Sequence, residues 1–369
     1  MRGAFVILGL LTACAPLTPP QLDGGAGGGA TVNGGGSGFG GGVSSGGGDA
    51  TGGGGAVAGG DSGFNWVNFS LSPAPASPSE ARSVRGMAKE GALWVLLNEG
   101  SLYRAADGSL ALTRVASFDV ATTPVELKDL AATDAGVFIL RRGDVLRCVG
   151  DCNALGDFTQ LLDLTGIEEG HALCSGNGRV LMVTRSSSMT KLYEFNRATE
   201  AFEEVSIGST TSGEGCFIDA SGDVFLPVSG GVMHVMSGGG FALDPIDAGQ
   251  PASWRAVAVA DGGGILVGGG FGLRVARRVD TSWLGFAPIT TDALMQVALP
   301  LRPGEFMAAG SFNGNGGTTV YRVQGTTLTP YAPQPSIHAQ RGVAVSADEV
   351  ILGGATGDDS NYAVVRARR

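Results

Sequence analysis

Short apolar runs return along this chain at an almost fixed interval, and few architectures accept that rhythm. Their first residues are Leu93, Val137, Val180, Val224, Ile265, Phe306 and Val350, successive steps of 44, 43, 44, 41, 41 and 44 residues. The stretch from Arg341 to Gly354, RGVAVSADEVILGG, shows one copy plainly. Val343 and Val345 alternate with small residues, Ser346 to Asp348 make a polar turn, and Val350, Ile351 and Leu352 lead to paired glycines. Period-two alternation, a tight turn and β-branched residues read as two antiparallel strands. Third strands line up behind them, from Leu102-Tyr103 in the first unit to Ala363-Val364 in the seventh. Fourth strands start near Leu110, Phe158, Phe202, Phe241, Trp283 and Leu328. Four short strands on such a period are the mark of β-propeller blades.

The seventh unit has no fourth strand of its own. Residues 64–71, FNWVNFSL, stand ahead of the first unit with the aromatic start and alternation of a fourth strand, and without a partner. An open ring would leave bare strand edges, which closure removes. The expected fold is therefore all-β: a seven-bladed β-propeller over residues 64–369, closed by Phe64 to Leu71 as the outer strand of the last blade. No helical period interrupts it.

Composition narrows the partners. A formal net charge of −10 excludes nucleic acid, because phosphate binding needs a basic surface. Glycine is the outlier at 64 of 369 residues, and it concentrates between Gly24 and Gly63. Such a stretch buries almost nothing and loses the most backbone entropy on ordering, so residues 14–63 are expected to be a disordered tether. A Gly-rich coil of that length spans about 40 Å root-mean-square. A phosphate-cradling loop needs a strand before it and a helix after it, and neither flanks these glycines.

Residues 1–13 begin with Arg2 and continue as an apolar run from Ala4 to Leu11. That run is too short to cross a hydrocarbon core of about 30 Å and reads as an export signal. Leu11-Thr12-Ala13-Cys14 resembles the bacterial lipobox, which implies cleavage before Cys14 and a diacylglyceryl group on its thiol. Ala15 follows where some bacteria carry a retention Asp, and by the same resemblance this points to the outer membrane. The paired glycines Gly268-Gly269 and Gly353-Gly354, with LYEFNRATEAFEEV from Leu192 to Val205, resemble degenerate kelch motifs. The tripartite layout is similar to uncharacterised lipoproteins of myxobacteria, a resemblance that implies no activity.

Four cysteines remain beyond Cys14, an even number for an exported chain. Cys148 and Cys152 flank a turn, and Cys174 and Cys216 fall on first strands of neighbouring units, so both pairs are expected to be disulfides. No nucleophile elbow, metal-ligand spacing or paired catalytic carboxylates can be read, and no catalytic residue, metal or cofactor is expected. The Asp- and Asn-rich loops at 219–223, 312–317 and 357–361 carry oxygens that calcium could use, but turn chemistry explains them equally well. His234 falls inside a third strand and reads as structural.

One register stands out. Eight to ten residues before each second strand lie Arg85, Lys128, His171, Glu214, Arg255 and Arg341, with Met295 in the sixth unit. These positions open the innermost strands, beside the central channel. A mostly basic set there is expected to bind an anionic group. The functional expectation is a monomeric head on a lipid anchor, binding a protein or glycan at the cell envelope. The alternative is an extracellular hydrolase or lyase acting through the funnel.

Overall fold

The computed structural model describes residues 63–369 apart from 76–82, 119–125, 165–167, 187–188, 209–214, 248–252, 262, 270–272, 290–292, 313–317, 333–334 and 357–360. The segments expected to be an export signal (1–13) and a tether (up to residue 62), with Cys14 and Glu214, lie outside the described residues.

Antiparallel meanders follow the sequence repeat. The first unit runs Val84–Glu90, Ala92–Leu97, Ser101–Ala105 and Ala111–Ser117. The second runs Leu127–Thr133, Gly136–Arg141, Asp144–Cys148 and Thr159–Asp163, and the third Glu169–Gly176, Arg179–Arg185, Thr190–Asn196 and Ala201–Val205. The fourth has Phe217–Ile218, Val224–Val228, Gly231–Val235 and Phe241–Asp247, and the fifth Ser253–Ala260, Gly263–Gly269, Leu273–Val279 and Ser282–Ile289. The sixth has Ala293–Pro300, Glu305–Phe312, Thr318–Gln324 and Thr327–Pro330, and the last Ile337–Ser346, Glu349–Thr356 and Tyr362–Arg368. Each first strand contacts the first strand of the next unit, and Ile337–Ser346 returns against Val84–Glu90. The arrangement is that of a β-propeller.

Burial explains the sequence pattern. A strand in the middle of a blade is covered on both faces by neighbouring blades, so it needs apolar residues at every position. Ala92–Leu97 and Val224–Val228 are buried throughout, whereas the outer strand Ala111–Ser117 alternates and is mostly exposed. The core is accordingly divided into clusters, each between two consecutive units. One joins Trp94 and Leu102 to Ile139 and Leu146, and another joins Val84 and Val95 of the first unit to Ile351 and Val364 of the last.

Two expectations are corrected. Counted by hydrogen bonding among the described residues, the strands form six sheets and not seven separate ones, because the outer strands of the fourth and fifth units pair in parallel at Ile246–Trp283 and Asp247–Leu284. The closing segment is also not one strand of the last blade. Asn65–Asn68 pairs antiparallel with Tyr362–Arg368, whereas Ser70–Ser72 pairs in parallel with Ala111–Ser117 of the first unit. Phe69, between the two pieces, donates its N–H to the Val364 carbonyl at 2.9 Å. The segment thus bridges the two units that meet at the end of the ring.

Both cysteine pairs are bridged, each with Cα atoms 5.7 Å apart. Cys174–Cys216 joins the innermost strand of the third unit to the residue just before the innermost strand of the fourth. The fourth unit's innermost strand is only Phe217–Ile218, so backbone pairing is thin at this seam. Cys174→Ser with Cys216→Ser should lower the unfolding free energy by about 3 kcal/mol, because the bridge closes a long loop of the unfolded chain. The Cys148–Cys152 pair closes a much shorter loop and should matter less. Urea unfolding of both double variants measures this; equal losses would contradict the loop-length account. Among the described residues, no helix is long and apolar enough to cross a membrane.

Candidate functional site

The inner strands do not run straight into the channel. A β-bulge breaks the pairing of the first and second strands in most units: between Val84 and Gly86, Leu127 and Asp129, Gly170 and Ala172, Trp254 and Ala256, Met295 and Val297, and Ala339 and Arg341. A bulge inserts one extra residue and re-aims the side chains after it. The bulged residues are Arg85, Lys128, His171, Arg255, Gln296 and Gln340. The basic register therefore marks the bulge itself in four units. In the sixth it is Gln296 in place of Met295, and in the last it is Gln340, with Arg341 one step further on.

A cavity of about 450 Å³ opens where the innermost strands converge. Of the sequence-predicted residues, Arg255 and Arg341 line it, whereas Arg85, Lys128 and His171 do not. Arg85 contributes its backbone instead: its carbonyl accepts from Arg341 Nε at 2.7 Å. Lys128 reaches Glu126 Oε1 at 2.6 Å. His171 is half-buried in its strand.

Sequence reasoning missed Asp129, which also lines the cavity. It occupies the same post-bulge position as Arg341, and its Oδ1 stands 3.8 Å from Arg341 Nε. Between these two units in the ring the first unit has Gly86, where an added Cβ would fall 2.4 Å from the Leu130 backbone nitrogen. Only glycine permits that approach of the two inner strands. The Asp129 carboxylate accepts backbone N–H bonds from Leu130 at 2.8 Å and Leu173 at 3.0 Å, the second across a unit boundary. On the other side of the first unit, Gln340 Oε1 accepts from the Val84 N–H at 2.8 Å. Arg341 donates through Nη1 to the Gln340 carbonyl at 3.0 Å and through Nε across the seam to Arg85. These side chains staple neighbouring blades and face the channel at once.

Burial pushes the Asp129 carboxyl up from the ordinary range, and the Arg341 guanidinium opposes that shift. The folded chain therefore holds this proton at a pH where the unfolded chain has lost it. Asp129's contribution to stability is full below the usual Asp range and declines as pH rises through the raised pKa. Asp129→Asn should gain on the wild type between acid and neutral pH, measured by denaturant unfolding at both. A difference that does not change with pH would contradict this.

Other polar clusters have structural duties. The His234 ring lies on Phe225 with centroids 4.5 Å apart, and its Nε2 is 2.7 Å from Asp223 Oδ2. Asp219 Oδ1 accepts from the Ser221 and Asp223 N–H groups at 2.9 Å each, which is turn chemistry and not a cation cradle. Lys191 lies 2.8 Å from the buried Glu168, whose carboxylate also accepts from the Tyr193 hydroxyl. Among the described residues, no group of three His, Cys, Asp or Glu is placed to hold a metal ion.

No family model matches the chain, and no curated protein does. Solved structures do. YCF48 bound to D1 peptide has a TM-score of 0.59 at 12% identity over 83% of this chain and 97% of that one. A catalytically inactive virginiamycin B lyase from Staphylococcus aureus with quinupristin gives 0.60 at 9% identity, over 83% and 99%. The Pan2 WD40 domain of Neurospora crassa gives 0.58 at 13%, over 83% and 96%. At such identities the likeness shows the propeller fold alone.

Proposed function

We propose that the chain is a lipid-anchored binding module of the cell envelope, with a head that is a seven-bladed propeller and a central cavity that grips an anionic group of its ligand. In this reading each sequence unit is one blade, residues 64–71 lock the ring, and residues 14–63 tether it to Cys14 in the outer membrane. The observation that carries the reading is the Arg341 guanidinium. It is pinned to carbonyls of two blades, keeps 34% of its side chain exposed, and shares the cavity with Arg255. A guanidinium held in place loses little freedom when it accepts a carboxylate, sulfate or phosphate. YCF48, a propeller neighbour solved with a bound peptide, supports a protein ligand.

The experiment is thermal unfolding with sulfate or carboxylated sugars at fixed ionic strength. Ligands that bind only the folded state raise its melting temperature. The wild type should be stabilised and Arg255→Ala should not; equal behaviour of the two would end this reading. The anchor has its own test. Cys14→Ala should leave an unprocessed precursor that no longer partitions into detergent.

A further inference from the structure

Asp129 and Arg341 belong to the second and last units and meet across the first, at the level of Gly86. Each oxygen of the Asp129 carboxylate accepts one backbone N–H, Oδ1 from Leu130 and Oδ2 from Leu173. Arg341 Nε stands 3.8 Å from Oδ1, beyond hydrogen-bond reach. That Nε and Nη1 are taken by the carbonyls of Arg85 and Gln340, whereas Nη2 has no hydrogen-bond partner among the described residues. Most other charges on the strands packed against Leu127–Thr133 are engaged or turned away. Lys89 goes to Asp107, Arg141 to Asp144, Glu169 to Arg142 and Arg179 to Glu194. Glu90 and Arg185 are exposed at strand ends. Arg85 and His171 occupy the bulges on either side, and Lys128 on the same strand is held by Glu126. Among the charged groups, only Arg341 is placed to weigh on the Asp129 carboxyl.

Burial favours the neutral carboxyl, and the pair then changes character. With both oxygens already accepting an N–H, a proton bound there takes a free lone pair and makes an O–H donor in the cavity wall. Arg341 is left without its counter-charge. An anion beside both groups satisfies the guanidinium and the O–H together, whereas against an ionised Asp129 it meets a like charge. We propose that Asp129 is a binding residue of this cavity: it meets the anion as a neutral carboxyl donating its O–H, so that one proton enters with each anion. This rests on the anion reading above and adds the ligand class, a hydrophilic oxyanion that offers one oxygen to Arg341 and another to Asp129.

The test is calorimetric titration of the full chain with methanesulfonate, which stays ionised, from about pH 4 to about pH 8 at fixed ionic strength. Above the Asp129 pKa the wild-type affinity should fall by about tenfold per pH unit, the slope of one linked proton. Paired titrations in buffers of different ionisation heat should show that proton being taken up. Asp129→Asn keeps a neutral donor in place and should lose both the pH slope and the uptake. Chloride, with no second oxygen for Asp129, should bind more weakly than methanesulfonate. Wild-type binding without a pH slope overturns the inference while the anion reading stands. So does a slope that persists in Asp129→Asn, which would give the proton to His171 or another group. Chloride binding as tight as methanesulfonate overturns it too. No anion binding at any pH overturns both. If Asp129→Asn does not fold, NMR of the wild type decides. The Leu130 and Leu173 amide protons should report a titration that moves to higher pH with methanesulfonate, and an unmoved titration overturns the inference.

Discussion

A chain that begins at Pro73 should aggregate or melt far below one that begins at Gly60. The difference lies in residues 64–71. Phe64 is buried against Tyr331 and Trp66, with ring centroids 5.2 and 5.9 Å away, and Phe69 is buried between the last unit and the first. Losing one large buried aromatic typically costs about 3–5 kcal/mol, and a whole domain is stable by only about 5–15. Removal would also bare the edges of Tyr362–Arg368 and of Ala111–Ser117, the two strands this segment covers. Denaturant unfolding and light scattering read both effects. Equal midpoints and no aggregation would mean that the ring is held by other contacts.

Arg369→Ala should be the most damaging single charge removal. The Arg369 guanidinium makes a two-point contact with Glu305, donates to the Tyr331 hydroxyl at 3.2 Å, and lies over the Phe64 ring at 4.8 Å. It therefore ties the closing segment, the sixth unit and the end of the last strand at one point. Glu305 raises the Arg369 pKa further above its already high value, and burial holds the Tyr331 phenol well above its usual range. Truncating one partner of such a pair leaves the other charge buried alone, a loss of about 3–5 kcal/mol. Replacing both, with Arg369→Met and Glu305→Gln, should recover most of it. If the double variant is as weak as Arg369→Ala, the loss comes from packing over Phe64 and not from the orphaned carboxylate.

The strands were legible because blade-buried strands need unbroken apolar runs and the repeat multiplies the signal. Leu93 and Val350, a full circuit apart in sequence, mark the same position in their units. Both disulfides followed from where the cysteines fall within the repeat. The closing segment was misread as one strand, although its sequence holds the evidence. Apolar residues fall at 64 and 66 and then at 67, 69 and 71, so the phase slips by one at Val67, just before the chain crosses from the last blade to the first. The parallel contact of Asp247 with Leu284 left no such trace, because it depends on how two outer strands splay in space. At the channel, Arg255 and Arg341 were legible as charges in a register, but the bulges were not. One inserted residue put Asp129 into the cavity beside Arg341, and left Lys128, its neighbour, paired with Glu126.

The central claim is that an anion is held inside the ring. Crystals of the protein soaked in selenate, whose selenium scatters anomalously, test it most directly. The account predicts an anomalous peak in the cavity within hydrogen-bond reach of Arg341 or Arg255, absent from Arg255→Ala crystals or weaker in them. Peaks confined to the outer faces of the blades, with the cavity empty at saturating selenate, would contradict it.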